Sequence, residues 1–154
     1  MNKYGIIAIH GGRIEPGTSE IARAIASNKF PLYINEEGPH ITSTEFRNNK
    51  VQKILNSCEI IISIHGVHNI DLDFIMLGGL DNLLITKISN NLLKNKFNIK
   101  IPPDSINGDN PKNICNLGLS KKGVQLELSH KLRESLLKDK DLLYLFSKSI
   151  VNAL

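Results

Sequence analysis

Tyr4-Gly-Ile-Ile-Ala-Ile9 runs straight into His10-Gly-Gly-Arg-Ile-Glu15, and Glu59-Ile-Ile-Ile-Ser-Ile64 runs in the same way into His65-Gly66. A short apolar run without polar alternation, ended by glycine, is the pattern of a strand buried on both faces, and such strands belong to parallel sheets covered by helices. Open sheets of that kind hold their ligands beyond the carboxyl ends of the strands, and both histidines fall there. This reading fixes the class as α/β and marks two matching strand ends for chemistry.

A single His-Gly at a strand end is ordinarily a turn with a solvated imidazole. Its repetition, with a carboxylate nearby, has a second meaning. His10, Glu15 and His65 make up the two-histidine, one-glutamate set of a catalytic zinc, one ion per chain, with the fourth position left to water. A third segment adds to this. In Gly123-Val-Gln-Leu-Glu-Leu-Ser129 the side chains alternate, with Val124, Leu126 and Leu128 on one face and Gln125, Glu127 and Ser129 on the other. Alone it reads as an edge or antiparallel strand with one wet face. Among strands buried on both sides, a carboxylate in mid-strand needs a partner, because an unpaired buried charge is costly. Water on a metal would be such a partner, which makes Glu127 the candidate general base.

The remaining periodicity alternates in type. It predicts a helix from about Thr18 to Asn28, strands at 31–35 and 40–44 joined in hairpin fashion by Glu36-Glu37-Gly38-Pro39, and a helix from about Glu45 to Ser57. After the strand at 59–64 a loop with Gly66 and Gly78-Gly79 leads to a helix over 81–96 and a short strand at 97–101. A long Pro-, Asn-, Gly- and Asp-rich loop follows at 102–120, and such loops are often functional. Beyond the strand at 123–128, two helices are predicted at about 130–138 and 140–152. The expected architecture is an α/β/α sandwich with a mixed, largely parallel sheet, residues 1–154 forming a single catalytic domain.

Composition narrows the function. The chain has 154 residues, 41% of them hydrophobic, and its apolar runs are too short to span a membrane. The net charge of +4 suits a polyanionic partner, but aromatic content is 5% and tryptophan is absent, so platforms for stacking nucleic-acid bases are scarce. Neither nucleic acid nor membrane is an expected partner, and a monomer is expected. Cys58 and Cys115 read as free thiols. The start leads directly into a core strand, so no cleavable signal peptide is expected and synthesis is expected to be cytoplasmic.

Taken together, AIHGGRIEPGTSEIA (8–22), HITST (40–44), SIHG (63–66), GGLD (78–81), NICN (113–116) and GVQLELS (123–129) with Leu132-Arg133 resemble the poly-γ-glutamate hydrolase family, found in bacilli and their phages. The resemblance implies a zinc carboxypeptidase-like fold and a zinc peptidase that cuts the γ-glutamyl amide bonds of poly-γ-glutamate. It implies His10, Glu15 and His65 as zinc ligands and Glu127 as the catalytic carboxylate. A phage origin would add release by host lysis. The chain departs from the family pattern at its short amino terminus and at Leu117 and His130, where arginines are expected.

Every γ-glutamyl unit carries a free α-carboxylate, so cationic subsites are expected. Arg13, Arg47 and Arg133 are candidates, each with the alternative of a surface arginine or an ion pair to Glu45 or Glu134. His40 is placed near the groove by its motif. His68 and the acids Asp71, Asp73 and Asp81 are read as loop or cap residues. Two other functions fit the same residues: a zinc amidohydrolase acting on small N-acyl-glutamate or cell-wall γ-glutamyl amides, and a non-catalytic prophage remnant that binds metal or polymer.

Overall fold

The isoleucine-rich runs pair with each other. In the computed structural model, which describes residues 1–154, β1 (Asn2–Ala8) and β3 (Cys58–Val67) lie side by side in parallel, with Ile6 beside Ile62 and Ile7 beside Ser63. β2 (Leu32–Ile34) adds in parallel to the outer side of β1, and β6 (Gly123–Ser129) in parallel to the other side of β3. β4 (Ile75–Gly79) runs antiparallel to β6, and β5 (Ile99–Lys100) follows β4. The result is one six-stranded, mostly parallel sheet in the order β2-β1-β3-β6-β4-β5.

Helices cover both faces, as two-sided burial of the central strands requires. On one face α1 (Thr18–Ala26), α3 (Asn82–Lys94), α4 (His130–Lys138) and α5 (Lys140–Val151) pack against Ile6, Ile62, Ile64, Leu126 and Leu128. The opposite face is thinner. There α2 (Asn49–Leu55) and a 3₁₀ turn at Ile114–Leu117 bury Ile7, Ile9 and Ile61 with Val51, Leu55 and Ile114. Side-chain caps start four of the helices: Asn48, Asp81, Ser129 and Asp139 each accept a backbone N–H of the first turn. No helix is long and apolar enough to cross a membrane. Cys58 and Cys115 are free and buried, and burial pushes the Cys115 thiol up to about 12.

Three sequence expectations need correction. Residues 40–44 form no strand: the outer edge of β2 stays unpaired, the Thr42 carbonyl closes a turn with the N–H groups of Glu45 and Phe46, and the carbonyls of Ile41 and Ser43 bond His10 Nε2 and the Ile114 N–H instead. The following helix is correspondingly short, beginning after the Asn48 cap. β4 replaces part of an expected loop. Gly78 is a strand residue, and a Cβ on it would run into the backbone carbonyl of Asn107, so it is there for a close approach and not for a turn. β6 is a central strand, and all seven of its residues are buried, Gln125 and Glu127 included.

Candidate active site

Leaving β1 the chain turns outward to β2, whereas from β3 it proceeds in the opposite direction toward β4. The carboxyl ends of β1 and β3 therefore border the crevice at which open sheets bind ligands. His10 stands just past β1, and His65 lies in the last part of β3. Between His10 and Glu15 the backbone closes on itself, with Glu15 N–H donating to His10 O at 2.8 Å, which brings the Glu15 carboxylate back beside the first imidazole. Thr18 Oγ1 holds that turn by donating to the Glu15 and His10 carbonyls.

Three side chains converge here. His10 Nδ1 lies 2.9 Å from Glu15 Oε1 and 3.2 Å from His65 Nδ1. Their ligand atoms all fall within 4.8 Å of one another. Each imidazole is fixed from behind. His10 Nε2 faces the Ile41 carbonyl at 2.7 Å, which can only accept, so that nitrogen carries the proton. His65 Nε2 meets Ser63 Oγ at 2.7 Å, with Ser43 Oγ farther off at 3.4 Å. Both Nδ1 atoms are thereby turned inward, as in metal-binding histidines held by outer hydrogen bonds. Glu15 Oε2 accepts the Gly66 N–H at 2.8 Å. Neighbouring ligands of a tetrahedral zinc with Zn–N of about 2.0–2.1 Å lie about 3.3 Å apart. The donor set and its spacing fit that ion.

Charge is distributed to match. Burial works to raise the Glu15 pKa, but hydrogen bonds from His10 and His65, and their charges, hold it well below the usual carboxylate range. Burial works to lower that of His65; the hydrogen bond to Glu15 and the Glu127 and Glu15 charges outweigh it and raise it. Glu127 pairs with His65 across the β3–β6 ladder. Burial pushes its carboxyl up to about 7, with the neighbouring Glu15 charge adding to burial and the histidines opposing it. Gln125 Nε2 donates to Glu127 Oε1 at 2.9 Å.

These groups floor a cleft of ≈ 450 Å³. One wall is the irregular 40–44 segment and the other the 104–110 segment, which begins as a 3₁₀ turn at Asp104–Ile106. His40 lines the cleft, its ring stacked on His10 at 3.9 Å and its Nε2 3.5 Å from Glu15 Oε1. No lysine or arginine lines it, while Asp104 and Asp109 do. Arg13 is exposed on the 10–15 turn and outside the cleft. Arg47 donates to the carbonyls of Phe46, Thr44 and Lys112, tying together the segments that carry the two walls. Arg133 is buried behind Gly66 and donates to the carbonyls of Leu128, Pro16 and Val67. Glu134 faces His130 at 3.6 Å and forms no ion pair with an arginine. Ser63, Gln125 and Asn113 were not singled out from the sequence. Ser63 and Gln125 each stand two residues before a site residue on the same strand face, a spacing visible in the sequence, whereas Asn113 reaches the site only through the tertiary fold.

Residues 1–150 match the family described as poly-gamma-glutamate hydrolase. UPF0714 protein YndL of Bacillus subtilis (strain 168) is 34% identical over 143 residues, which cover 85% of this chain and 55% of YndL. The chain thus spans about half the length of curated relatives it matches. A bacteriophage poly-gamma-glutamate hydrolase shares the fold, with a TM-score of 0.91 at 24% identity over 99% of this chain and 83% of that one. Zinc-free YndL superposes with a TM-score of 0.87 at 29% identity, covering 99% and 84%. With its motifs, its sheet and its His–Glu–His cluster in that company, the chain belongs to the poly-gamma-glutamate hydrolase family.

Proposed function

We propose that residues 1–154 act as one catalytic unit, a zinc-dependent hydrolase that cleaves γ-glutamyl amide bonds of poly-γ-glutamate. The observation that carries this is the convergence of His10, Glu15 and His65 beside a buried Glu127 at the floor of an open cleft, in a chain of this family. One zinc per chain, held by the two Nδ1 atoms and the Glu15 carboxylate, would polarise the scissile carbonyl and make a water acidic enough to act near neutral pH.

The chain's own groups do the rest. The Ile41 carbonyl keeps His10 in the tautomer that ligation needs, the Ser63 hydroxyl is placed to accept from His65 Nε2, and Gly66 N–H keeps Glu15 turned toward both rings. Glu127 takes a proton from the water as its oxygen bonds to the amide carbon, then delivers it to the leaving nitrogen as the C–N bond breaks. A carboxyl near 7 can serve in both directions. Hydroxyls of Thr42, Ser43 and Thr44 are available to the substrate's carbonyl and carboxylate oxygens. For the α-carboxylates we assign His40 within the cleft and, for units outside its lining, Arg47. Arg13 is free to meet a longer polymer beyond it, and Arg133 acts from behind the floor.

A second reading has its own support. The absence of lysine and arginine from the cleft lining favours a small γ-glutamyl or N-acyl-glutamate amide with few charges over a polyanion. The test is elemental analysis of the purified protein with viscosity measurements on poly-γ-glutamate, with and without chelator. About one equivalent of zinc is expected, largely lost in His10→Ala and His65→Ala with the fold retained. Viscosity should fall only without chelator, and Glu127→Gln should slow turnover by at least ~10²-fold while keeping its zinc. Cleavage of short amides alone would move the assignment to the second reading. Zinc bound without any turnover would leave a binding protein.

A further inference from the structure

We propose that Asn113 and Gln125 are positioning residues, forming a two-amide chain of fixed polarity that holds Glu127 Oε1 and leaves Oε2 as the atom that carries the proton. The proposal rests on the reading of Glu127 as the base.

Its support is a complete run of hydrogen bonds through the buried wall of the cleft. Asn113 Oδ1 accepts the backbone N–H of Cys115 at 3.1 Å. Asn113 Nδ2 donates to Gln125 Oε1 at 2.9 Å, and Gln125 Nε2 donates both to the Ile106 carbonyl at 3.1 Å and to Glu127 Oε1 at 2.9 Å. The oxygen and nitrogen of a carboxamide are interchangeable in shape, so the partners must decide its orientation. Here the backbone decides at both ends. An N–H can only donate, so Asn113 must offer it oxygen and turn its nitrogen to Gln125. A carbonyl can only accept, so Gln125 must turn its nitrogen to Ile106 and hence to Glu127. The two anchors agree.

Asn113, Gln125 and Glu127 are 6%, 3% and 8% exposed, so water competes poorly for these bonds. Both N–H groups of Gln125 and its oxygen are engaged. Glu127 Oε1 therefore receives a hydrogen, and since a carboxyl O–H oxygen is a poorer acceptor than a C=O oxygen, that bond favours the proton on Oε2. Oε2 takes no hydrogen bond from the protein. Register places Gln125 beside Ser63 and Glu127 beside His65, so the same two strands orient an imidazole from one side and the carboxylate from the other. The NICN motif gains a role in this way: its first asparagine sets the polarity of the relay.

The experiment compares wild type, Gln125→Met, Asn113→Asp and Glu127→Gln at equal zinc occupancy. Gln125→Met keeps the bulk and removes the donor. Asn113→Asp keeps the shape but offers oxygen on both sides, so it repels the Gln125 oxygen, sets the two anchors of the relay against each other and weakens the hold on Glu127 Oε1. In both variants kcat should fall on the order of 10–100-fold with KM unchanged. The metal-free proteins give a second readout in ¹⁵N–¹H spectra. The Gln125 carboxamide signals, identified by their loss in Gln125→Met, should exchange slowly with solvent and should shift in Asn113→Asp and Glu127→Gln. Wild-type kcat in a folded Gln125→Met, or a freely exchanging Gln125 carboxamide in wild type, would overturn the relay while an inactive Glu127→Gln leaves the base in place. An active Glu127→Gln removes the base, and the relay's purpose with it. If Gln125→Met does not fold, Asn113→Asp and the carboxamide signals decide the matter.

Discussion

A guanidinium without a carboxylate partner is stable at 4% exposure only where other acceptors take its hydrogens, and at Arg133 the carbonyls of Leu128, Pro16 and Val67 do so. Burial lowers its pKa, and the charges of Glu15 and Glu127 work against that. Its plane lies against Gly66, where a Cβ would collide with it, and Gly66 in turn donates to Glu15. Arg133 thus ties the turn before α1, the end of β3 and the end of β6 behind the site. Arg133→Met should destabilise the protein by ~2–4 kcal/mol, since three carbonyls lose their donor, and loosen zinc on the order of tenfold through Glu15. Denaturant unfolding and a chelator competition measure the two effects. Unchanged stability combined with a raised KM for a carboxylate-bearing substrate would instead make Arg133 a substrate contact.

Between β5 and β6 the long segment has little regular structure, yet it forms a wall of the cleft and needs a fixed attachment. Asn116 supplies it: Nδ2 donates to the Gly108 and Asn110 carbonyls, and Oδ1 accepts the N–H groups of Leu80 and Gly123. At 1% exposure, no water replaces it for the Leu80 and Gly123 N–H groups. Asn116→Ala should cost ~2–4 kcal/mol and make the 104–110 stretch the first site of limited proteolysis. Wild-type protease resistance would show that the wall is held elsewhere. Elements differ in how far they were legible for the same reason. β1 and β3 could be read because two-sided burial demands continuous isoleucine, and the face of β6 because alternation survives in it. β4 could not, because Gly78 answers to Asn107, which is distant in sequence. His40-Ile-Thr-Ser-Thr44 alternates like a strand but leaves the free edge of β2 unpaired, because its carbonyls are spent on His10 and Ile114, and it serves instead as a wall.

Across the whole molecule, the ligand types were visible one by one, but their assembly depends on strand order. Only when β1, β3 and β6 lie side by side in parallel do His10, His65 and Glu127 share one end of the sheet. Gathering these groups ties stability to both protons and metal. In metal-free protein, Glu127 is raised from 4.5 to about 7 and His65 is raised too, so the folded state binds more protons than the unfolded chain across that range. Their contribution is present in mild acid and is lost as pH rises through the folded values. Glu15 is lowered, so its contribution is lost only as pH falls below the ordinary carboxylate range. Metal-free protein should therefore lose stability as pH rises from about 4.5 through about 7. Zinc acts in the opposite sense, because ligation needs both Nδ1 atoms free of protons and tightens as pH rises. At a free zinc concentration of 100 Kd the stabilisation is about 2.7 kcal/mol, or roughly 5–10 °C in Tm for a chain of this size. The Tm gap between zinc-loaded and chelated protein should widen as pH rises, and Glu127→Gln should flatten the chelated curve while leaving a zinc-dependent gap. A gap that narrows with pH would mean that the metal is not held by His10, Glu15 and His65.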